Sequence, residues 1–426
     1  MMDSQQWLPF ADSGTHFDTL LGQHPHRVAV CTTSEGKQWQ EQVYDHDTAR
    51  SMAGNLAVDL ETYISQSGLQ RRRRVSDVAS LNAHWVDLDV YSTPYANKSA
   101  REMLALVQEQ HAWLPAPTMI VSSGRGFHFE WVFIKPVAAD SLPLWQSTQD
   151  TLTDLLKPLG ADPSVRDAAR VLRLVGSRND KNGALVVAQI DTGGGVDFKK
   201  FAKLVQRNQP APIQTTAKPS QRTYSTQETA GRAKLNGYKL AQARMSDCVT
   251  LAELRGAPLQ DCRSRLLYVY ACAGAWFWAS REHAAHELNQ FSRDYFAEHE
   301  TYGAKRCQTI LERMGQAKSG VIQLWQGRGV DPRYRLRNAN IIRELEITPD
   351  EQTRMQTLIC KSEKSRRRRI RDGAVPWNEH IANRQKAAQE RAQEAVRLKT
   401  EGYKQVEIAR LMGVSQQTVS RLLSKA

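Results

Sequence analysis

Two aspartates stand two residues apart in the run HWVDLDV, residues 84–90. Side chains alternate along a strand, so Asp87 and Asp89 would share one face, with Val86, Leu88 and Val90 on the other. Neighbouring carboxylates repel unless a cation or water lies between them, so the chemistry on offer is cation binding. The plainer reading is a half-buried strand with a solvated acidic face. A second stretch, IVSSGRGFHFEWVF at 120–133, runs a strand into Ser-Ser-Gly-Arg-Gly and out into another strand. There Phe127, Phe129, Trp131 and Phe133 face one way, and His128 and Glu130 the other. Gly124 and Gly126 permit positive φ and close approach of a ligand, so exposed N–H groups and Arg125 can cradle phosphate. His128 would donate to a phosphate oxygen. The competing reading is an ordinary glycine hairpin with a locally satisfied histidine.

The third stretch is GADPSVRDAARVLRLVGSRNDK, 160–181. Asp162 before Pro163 reads as an N-cap with proline at the first helical position. Arg166 and Arg170 would lie four apart on one helical face. VLRLVGS reads as a strand holding Arg173, and an arginine inside a buried strand needs an anionic partner. That partner is either a nearby Asp or a polyphosphate held by forked guanidiniums.

Around these stretches, residues 1–205 alternate strand-like and helix-like segments. Strands are expected at 84–90, 117–122, 127–134 and 184–190, and helices at 99–112 and 143–158. Residues 206–233, rich in Pro, Ser, Thr and Gln, read as a linker. Residues 234–330 read as a helical domain; their apolar run LLYVYACAGAWFWA at 266–279 is short for a membrane span and suits a core helix. A basic linker region is expected at 331–380 and a helix-turn-helix region at 381–426. In the latter, Val406, Ala409 and Leu411 form the apolar pattern, Gly413 the turn, and Ser415 the cap of a second helix carrying Val419 and Leu422. That second helix would present Gln416, Gln417, Ser420 and Arg421 to the major groove of double-stranded DNA.

Net charge is +13, unevenly placed. Residues 1–205 hold 20 Lys and Arg against 23 Asp and Glu, whereas residues 206–426 hold 38 against 22. A near-neutral front and a basic back suit a catalytic domain joined to a polyanion-binding part. The arginine runs at 71–74 and 366–369 are candidate phosphate contacts, although the first can equally be a solvated run. Six cysteines without a Cys-x-x-Cys pair indicate neither a disulfide framework nor a zinc site. With no signal peptide or membrane span, the expected location is cytoplasmic.

The order Asp-Leu-Asp, then Ser-Gly-x-Gly-x-His-x-x-Trp, then Asp followed by Arg-Val-Leu-Arg-Leu-x-Gly-Ser-x-Asn resembles the archaeo-eukaryotic primase superfamily. The likeness is to primases of plasmids and other mobile elements, over roughly residues 80–185. It implies an α+β fold: a primase-type core with a mixed or antiparallel sheet and flanking helices, then an α-helical domain and a helix-turn-helix. Carried over by position, Asp87, Asp89 and Asp162 would hold two divalent ions, Mg²⁺ or Mn²⁺. His128, Ser123, Arg125, Arg170 and Arg173 would contact the nucleotide. Many members have Ser two residues before the histidine; here that position is Gly126, and the serines are Ser122 and Ser123.

The implied activity is a DNA-dependent primase, or primase-polymerase, acting on a single-stranded template with nucleoside triphosphates. Its terminus would read double-stranded origin DNA. No G-x-x-x-x-G-K-[ST] occurs, so a separate helicase would be the motor. Two rivals stand beside this. One is a non-catalytic origin-binding initiator or regulator with an inactive core. The other is a rolling-circle nicking enzyme, which wants two histidines flanking one hydrophobe where only His128 stands in a strand.

Overall fold

The computed structural model describes residues 12–22, 25–33, 39–55, 61–190, 194–209, 226–259, 261–298, 301–325, 328–373 and 377–424. The chain forms two compact units, Met1–Leu358 and Ile359–Ala426. The first is mixed α+β. Its strands are β1 (Val28–Thr33), β2 (Gln40–Tyr44), β3 (Glu61–Ser65), β4 (Ser67–Leu69), β5 (Val78–Leu88), β6 (Met119–Ser122), β7 (Phe127–Ala138), β8 (Val171–Arg173), β9 (Arg178–Asn179), β10 (Ala184–Leu185) and β11 (Val187–Ile190). A five-stranded sheet runs β11-β6-β7-β5-β4, and a four-stranded sheet runs β2-β1-β3-β8. Every pairing within both is antiparallel.

Both faces of β5 and of the first half of β7 are buried, and alternation sorts which residues enter which side. Val86, Leu88, Phe127, Phe129 and Trp131 enter one core with Val90 and Ile120. That core is closed by Met103 and Val107 of α3 (Ala100–Gln110), Leu152 and Leu156 of α4 (Leu142–Leu156), and Phe201 and Val205 of α5 (Phe198–Arg207). Two shorter helices, α1 (Ser13–Leu21) and α2 (His46–Gly54), precede these in the chain. Helix α3 starts at a reciprocal cap in which Ser99 and Glu102 satisfy each other's backbone N–H. On the sheet's other face Met119, Val121, Val186 and Ala188 pack with Val175.

The helical part comprises α6 (Thr226–Arg255), α7 (Arg263–Gly274), α8 (Arg281–Phe296), α9 (Tyr302–Arg306) and α10 (Gln308–Lys318). The apolar run at 266–279 contributes α7, and Leu266, Leu267 and Tyr270 are buried there as a core helix would be. Among the described residues no helix is long and apolar enough to cross a membrane.

The arginine run 71–74 is split: Arg71 and Arg72 are exposed, as a solvated run would be, whereas Arg73 and Arg74 are buried, and all four have carboxylate partners. Arg71 pairs with Glu253 at 2.8 Å, and Arg73 with Glu41 at 2.7 Å. Arg74, 1 % exposed, pairs with Asp77 at 2.8 Å and with Asp294 at 3.2 Å. Just beyond the run, Val75 N–H donates to the Glu287 carboxylate at 2.5 Å, and the same carboxylate accepts from Trp278 Nε1 at 2.7 Å. His283 Nδ1 lies 3.4 Å from Asp167. Buried ion pairs and hydrogen bonds therefore fasten α8 to the sheets, and the exposed Arg71–Glu253 pair ties α6 alongside.

The expected linkers are redrawn. Of residues 206–233, positions 210–225 lie outside the described residues, and from Thr226 onward the chain is helix. Residues 331–358 are packed rather than linking, through α11 (Asn338–Glu344) and α12 (Pro349–Arg354). The Asp247 carboxylate accepts the N–H groups of Gln356, Thr357 and Leu358 at 2.5, 2.8 and 2.8 Å, and Arg255 pairs with Glu351 at 2.7 Å.

The second unit contains α13 (Lys361–Arg371), α14 (Trp377–Thr400), α15 (Gln405–Leu411) and α16 (Gln416–Leu423). Its core is Ala395, Leu398, Ile408, Ala409 and Val419. Val406 and Leu411, expected in the apolar pattern, are instead 60 % and 62 % exposed, because α15 turns Ile408 and Ala409 inward against α14. Gly413 makes the turn with φ +64°, and Ser415 caps α16 by accepting from Thr418 N–H.

Removing one partner of a buried ion pair leaves the other charge dry and uncompensated. Arg74→Met keeps the volume but takes from Asp77 its 2.8 Å partner and leaves it only Arg71 at 3.6 Å, so it is expected to destabilise the fold by roughly 3 kcal/mol in urea unfolding. A loss below about 0.5 kcal/mol would show that these buried pairs do not hold α8 down.

Candidate active site

Asp87 is the last residue but one of β5, and Asp89 follows the strand end. A short antiparallel bridge pairs Leu88 with Ala161. Asp89 N–H donates to the Gly160 carbonyl at 2.9 Å, and Asp162 N–H to the Asp87 carbonyl at 2.8 Å. Leu88 and Ala161 point into the core, which leaves the three acids on the opposite side. Asp162 is thus beside Asp87 despite their separation in sequence. It caps the turn Pro163–Val165 as expected, its carboxylate accepting Ser164 N–H and Ser164 Oγ, both at 2.7 Å.

The glycine turn presses on this strand end. Gly124 has φ +88°, but Gly126 is not in the positive-φ region; it is small because a Cβ there would sit 2.3 Å from the Leu88 carbonyl oxygen. His128 is paired with Asp87 in register, its Nε2 3.9 Å from Asp87 Oδ1. Burial, reinforced by the charge of Arg173, pulls His128 down to about 3, so it is neutral at physiological pH. Two residues on, Glu130 is 0 % exposed and neither carboxyl oxygen has a hydrogen-bond partner.

Charge repulsion is concentrated at Asp87. Burial first, then Asp162 and Asp89, push it up to about 7, against the pull of Arg173 and Arg170. Asp89 is raised by burial and by Asp162, with Arg125, Lys181 and Arg173 opposing.

The expected nucleotide contacts divide. Arg173 donates to Glu61 at 3.0 Å and lies over the Tyr63 ring at 5.1 Å. Arg170 donates to Asp167 at 2.9 Å and to the Ser164 carbonyl. Both therefore take the intramolecular partner rather than standing open for phosphate. Arg166 does the same with Asp154 at 3.3 Å, and the expected helical face with Arg170 is absent because the helix is only one turn. Ser123 is buried, its hydroxyl donating to the Gly126 carbonyl at 3.1 Å, so it closes the turn. Arg125 stacks on Tyr91 with its guanidinium 3.6 Å from the ring centroid.

Sequence reasoning passed over Asn179 and Asn182. They donate to the Ser123 and Gly124 carbonyls at 2.6 and 2.7 Å and buttress the glycine turn from the β9–β10 hairpin. The turn-rich composition of SRNDKNG was the available signal.

Three carboxylates offer the hard oxygen donors that Mg²⁺ and Mn²⁺ favour, and a dication would relieve their repulsion. The donor chemistry fits. The geometry is not yet closed: among the described residues no group of three or more His, Cys, Asp or Glu side chains is gathered to hold a metal ion. Asp162 is turned toward its own cap.

The chain is 28 % identical over 316 residues to a replication protein of Clostridium perfringens, covering 72 % of this chain and 69 % of the relative. Residues 386–425 match the Homeodomain-like domain family. Among solved structures, the chain is similar to the primase-polymerase domain of cyanophage S-2L, with 19 % identity, TM-score 0.35, and 46 % of this chain and 98 % of that one covered. It is also similar to the catalytic domain of primase RepB′ in complex with initiator DNA (15 %, 0.32, covering 46 % and 90 %). A structure of primase RepB′ matches at 13 % and 0.34, covering 72 % and 95 %. In the homeodomain-like region Gln416, Gln417, Ser420 and Arg421 are all exposed on α16.

Burial alone holds the Glu130 carboxyl up at about 8. The folded chain keeps that proton while the unfolded chain releases it near 4.5, so stability falls as pH rises from about 4.5 to 8. Glu130→Gln is expected to match wild type at pH 4 and to exceed it by roughly 2–4 kcal/mol at pH 8. Equal pH slopes in urea titrations of the two proteins would refute the assignment.

Proposed function

We propose that this chain is a DNA primase, or primase-polymerase, serving replication of a plasmid or mobile element by two-metal nucleotidyl transfer. The observation that supports this reading is the Leu88–Ala161 bridge, which draws the backbone of Asp162 against that of Asp87 at the end of the strand that carries Asp87. Asp87, Asp89 and Asp162 would hold the two ions, once Asp162 lets go of Ser164. Bound there, Mg²⁺ or Mn²⁺ lowers the pKa of an attacking 3′-hydroxyl and offsets charge on departing pyrophosphate. His128, neutral and facing Asp87, can donate one N–H to a phosphate oxygen without adding charge. The backbone of the glycine turn offers N–H groups on the same side. Arg173 and Arg170, anchored by Glu61 and Asp167, act through their field rather than by direct grip. The exposed side chains of α16 would carry the whole enzyme to double-stranded origin DNA, with a separate helicase opening the duplex.

A second reading, a non-catalytic origin-binding initiator, is favoured by one observation: the Asp162 carboxylate already accepts two hydrogen bonds from Ser164. Incorporation of labelled ribo- and deoxynucleotides on random single-stranded template, with Mg²⁺ or Mn²⁺, separates the two. Asp89→Asn is expected to lose roughly 100-fold or more in rate. Wild type and Asp89→Asn at the same background would leave the initiator reading standing. For the terminus, Arg421→Ala should weaken duplex origin binding by roughly 1–3 kcal/mol and leave synthesis on generic single strands unchanged. Loss of synthesis in that variant would overturn the division of labour.

A further inference from the structure

Tyr91 is 49 % exposed, two residues past Asp89. Val90 between them is buried in the core with Leu88, which turns its two neighbours outward together. One side of the Tyr91 ring is covered by the Arg125 guanidinium at 3.6 Å. That stack is rigidly placed. Gly126, next to Arg125, fits so closely against Leu88 that no Cβ can be accommodated, and a Cβ would also lie 3.3 Å from Asp89 Cα. The turn itself is pinned by Asn179 and Asn182. Arg125 also pulls on the Asp89 carboxylate, so the stack borders the acidic locus. A half-exposed aromatic ring backed by a delocalised cation is chemically suited to a flat, electron-rich heterocycle.

We propose that Tyr91 and Arg125 form a stacking platform for a nucleobase, either of the template strand or of the incoming nucleotide. Arg125 then serves as the ring's backing, with its charge spread over the base, rather than as a free phosphate clamp. The proposal deepens the primase reading, on which it rests, by naming the contact that holds a base beside the acids.

The test measures equilibrium binding by the full-length chain in wild type, Tyr91→Ala, Tyr91→Leu and Tyr91→Trp. The probes are a fluorescent single-stranded oligodeoxynucleotide, ATP and inorganic triphosphate. Tyr91→Ala and Tyr91→Leu are expected to weaken the oligonucleotide, ATP or both by roughly 5- to 100-fold, with Tyr91→Trp close to wild type and triphosphate binding unchanged. Loss on the oligonucleotide alone assigns the platform to the template; loss on ATP alone assigns it to the substrate. Wild-type affinity of Tyr91→Ala for both overturns the proposal. So does an equal loss for triphosphate, because Tyr91 then only steers Arg125 toward phosphate. Primer synthesis by wild type is scored separately. If wild type synthesises and Tyr91→Ala binds normally, the platform fails alone; if wild type binds but never synthesises, the primase reading fails alone.

Discussion

Two backbone hydrogen bonds, Asp89 N–H to Gly160 and Asp162 N–H to Asp87, decide what this molecule can be. They are made by peptide groups, so they do not depend on the charge state of the side chains they bring together. They draw distant segments into one ladder and sink Leu88 and Ala161 into the core. Three carboxylates are then forced onto the other side, where Asp162 and Asp89 disfavour the ionisation of Asp87, and Asp162 that of Asp89. Around them the chain places cations that are themselves held by acids: Arg173 by Glu61, Arg170 by Asp167. The result is a locus with strong local fields and little freedom for the groups that make them.

Much of this could be read from local pattern. Period-two alternation placed Phe127, Phe129 and Trp131 on the core side of β7 and His128 on its other face, which the sheet register then sets opposite Asp87. The Asp-Pro pair announced the cap at Asp162, and the Gly-Arg-Gly turn announced a tight hairpin. What escaped were the ion pairs whose partners lie far along the chain. Nothing near Arg173 in sequence points to Glu61, and nothing near Arg74 points to Asp294. Ser123 looked available because a sequence does not show that its hydroxyl closes its own turn.

The misread stretch 331–358 has a different cause. Its low apolar content suggested a linker, yet it is tied down by polar groups, above all Asp247 accepting three successive N–H groups. Composition reports on cores and is blind to segments anchored by hydrogen bonds. The TPDE sequence at 348–351, whose Thr348 and Glu351 form a reciprocal cap, was the legible sign of order there. In the second unit the error was one of phase. Val406 and Leu411 fit a helical period as well as Ile408 does, and only packing against α14 chooses between them.

The seam of Arg71–Arg74 with Glu41, Asp77, Glu253 and Asp294 also limits how the first unit can move. Sliding α8 over the sheets would expose or orphan several dry charges at once, which is far costlier than parting two apolar surfaces by the same amount, whereas the exposed Arg71–Glu253 pair that ties α6 yields more cheaply. Rearrangement within the first unit is therefore cheapest away from α8.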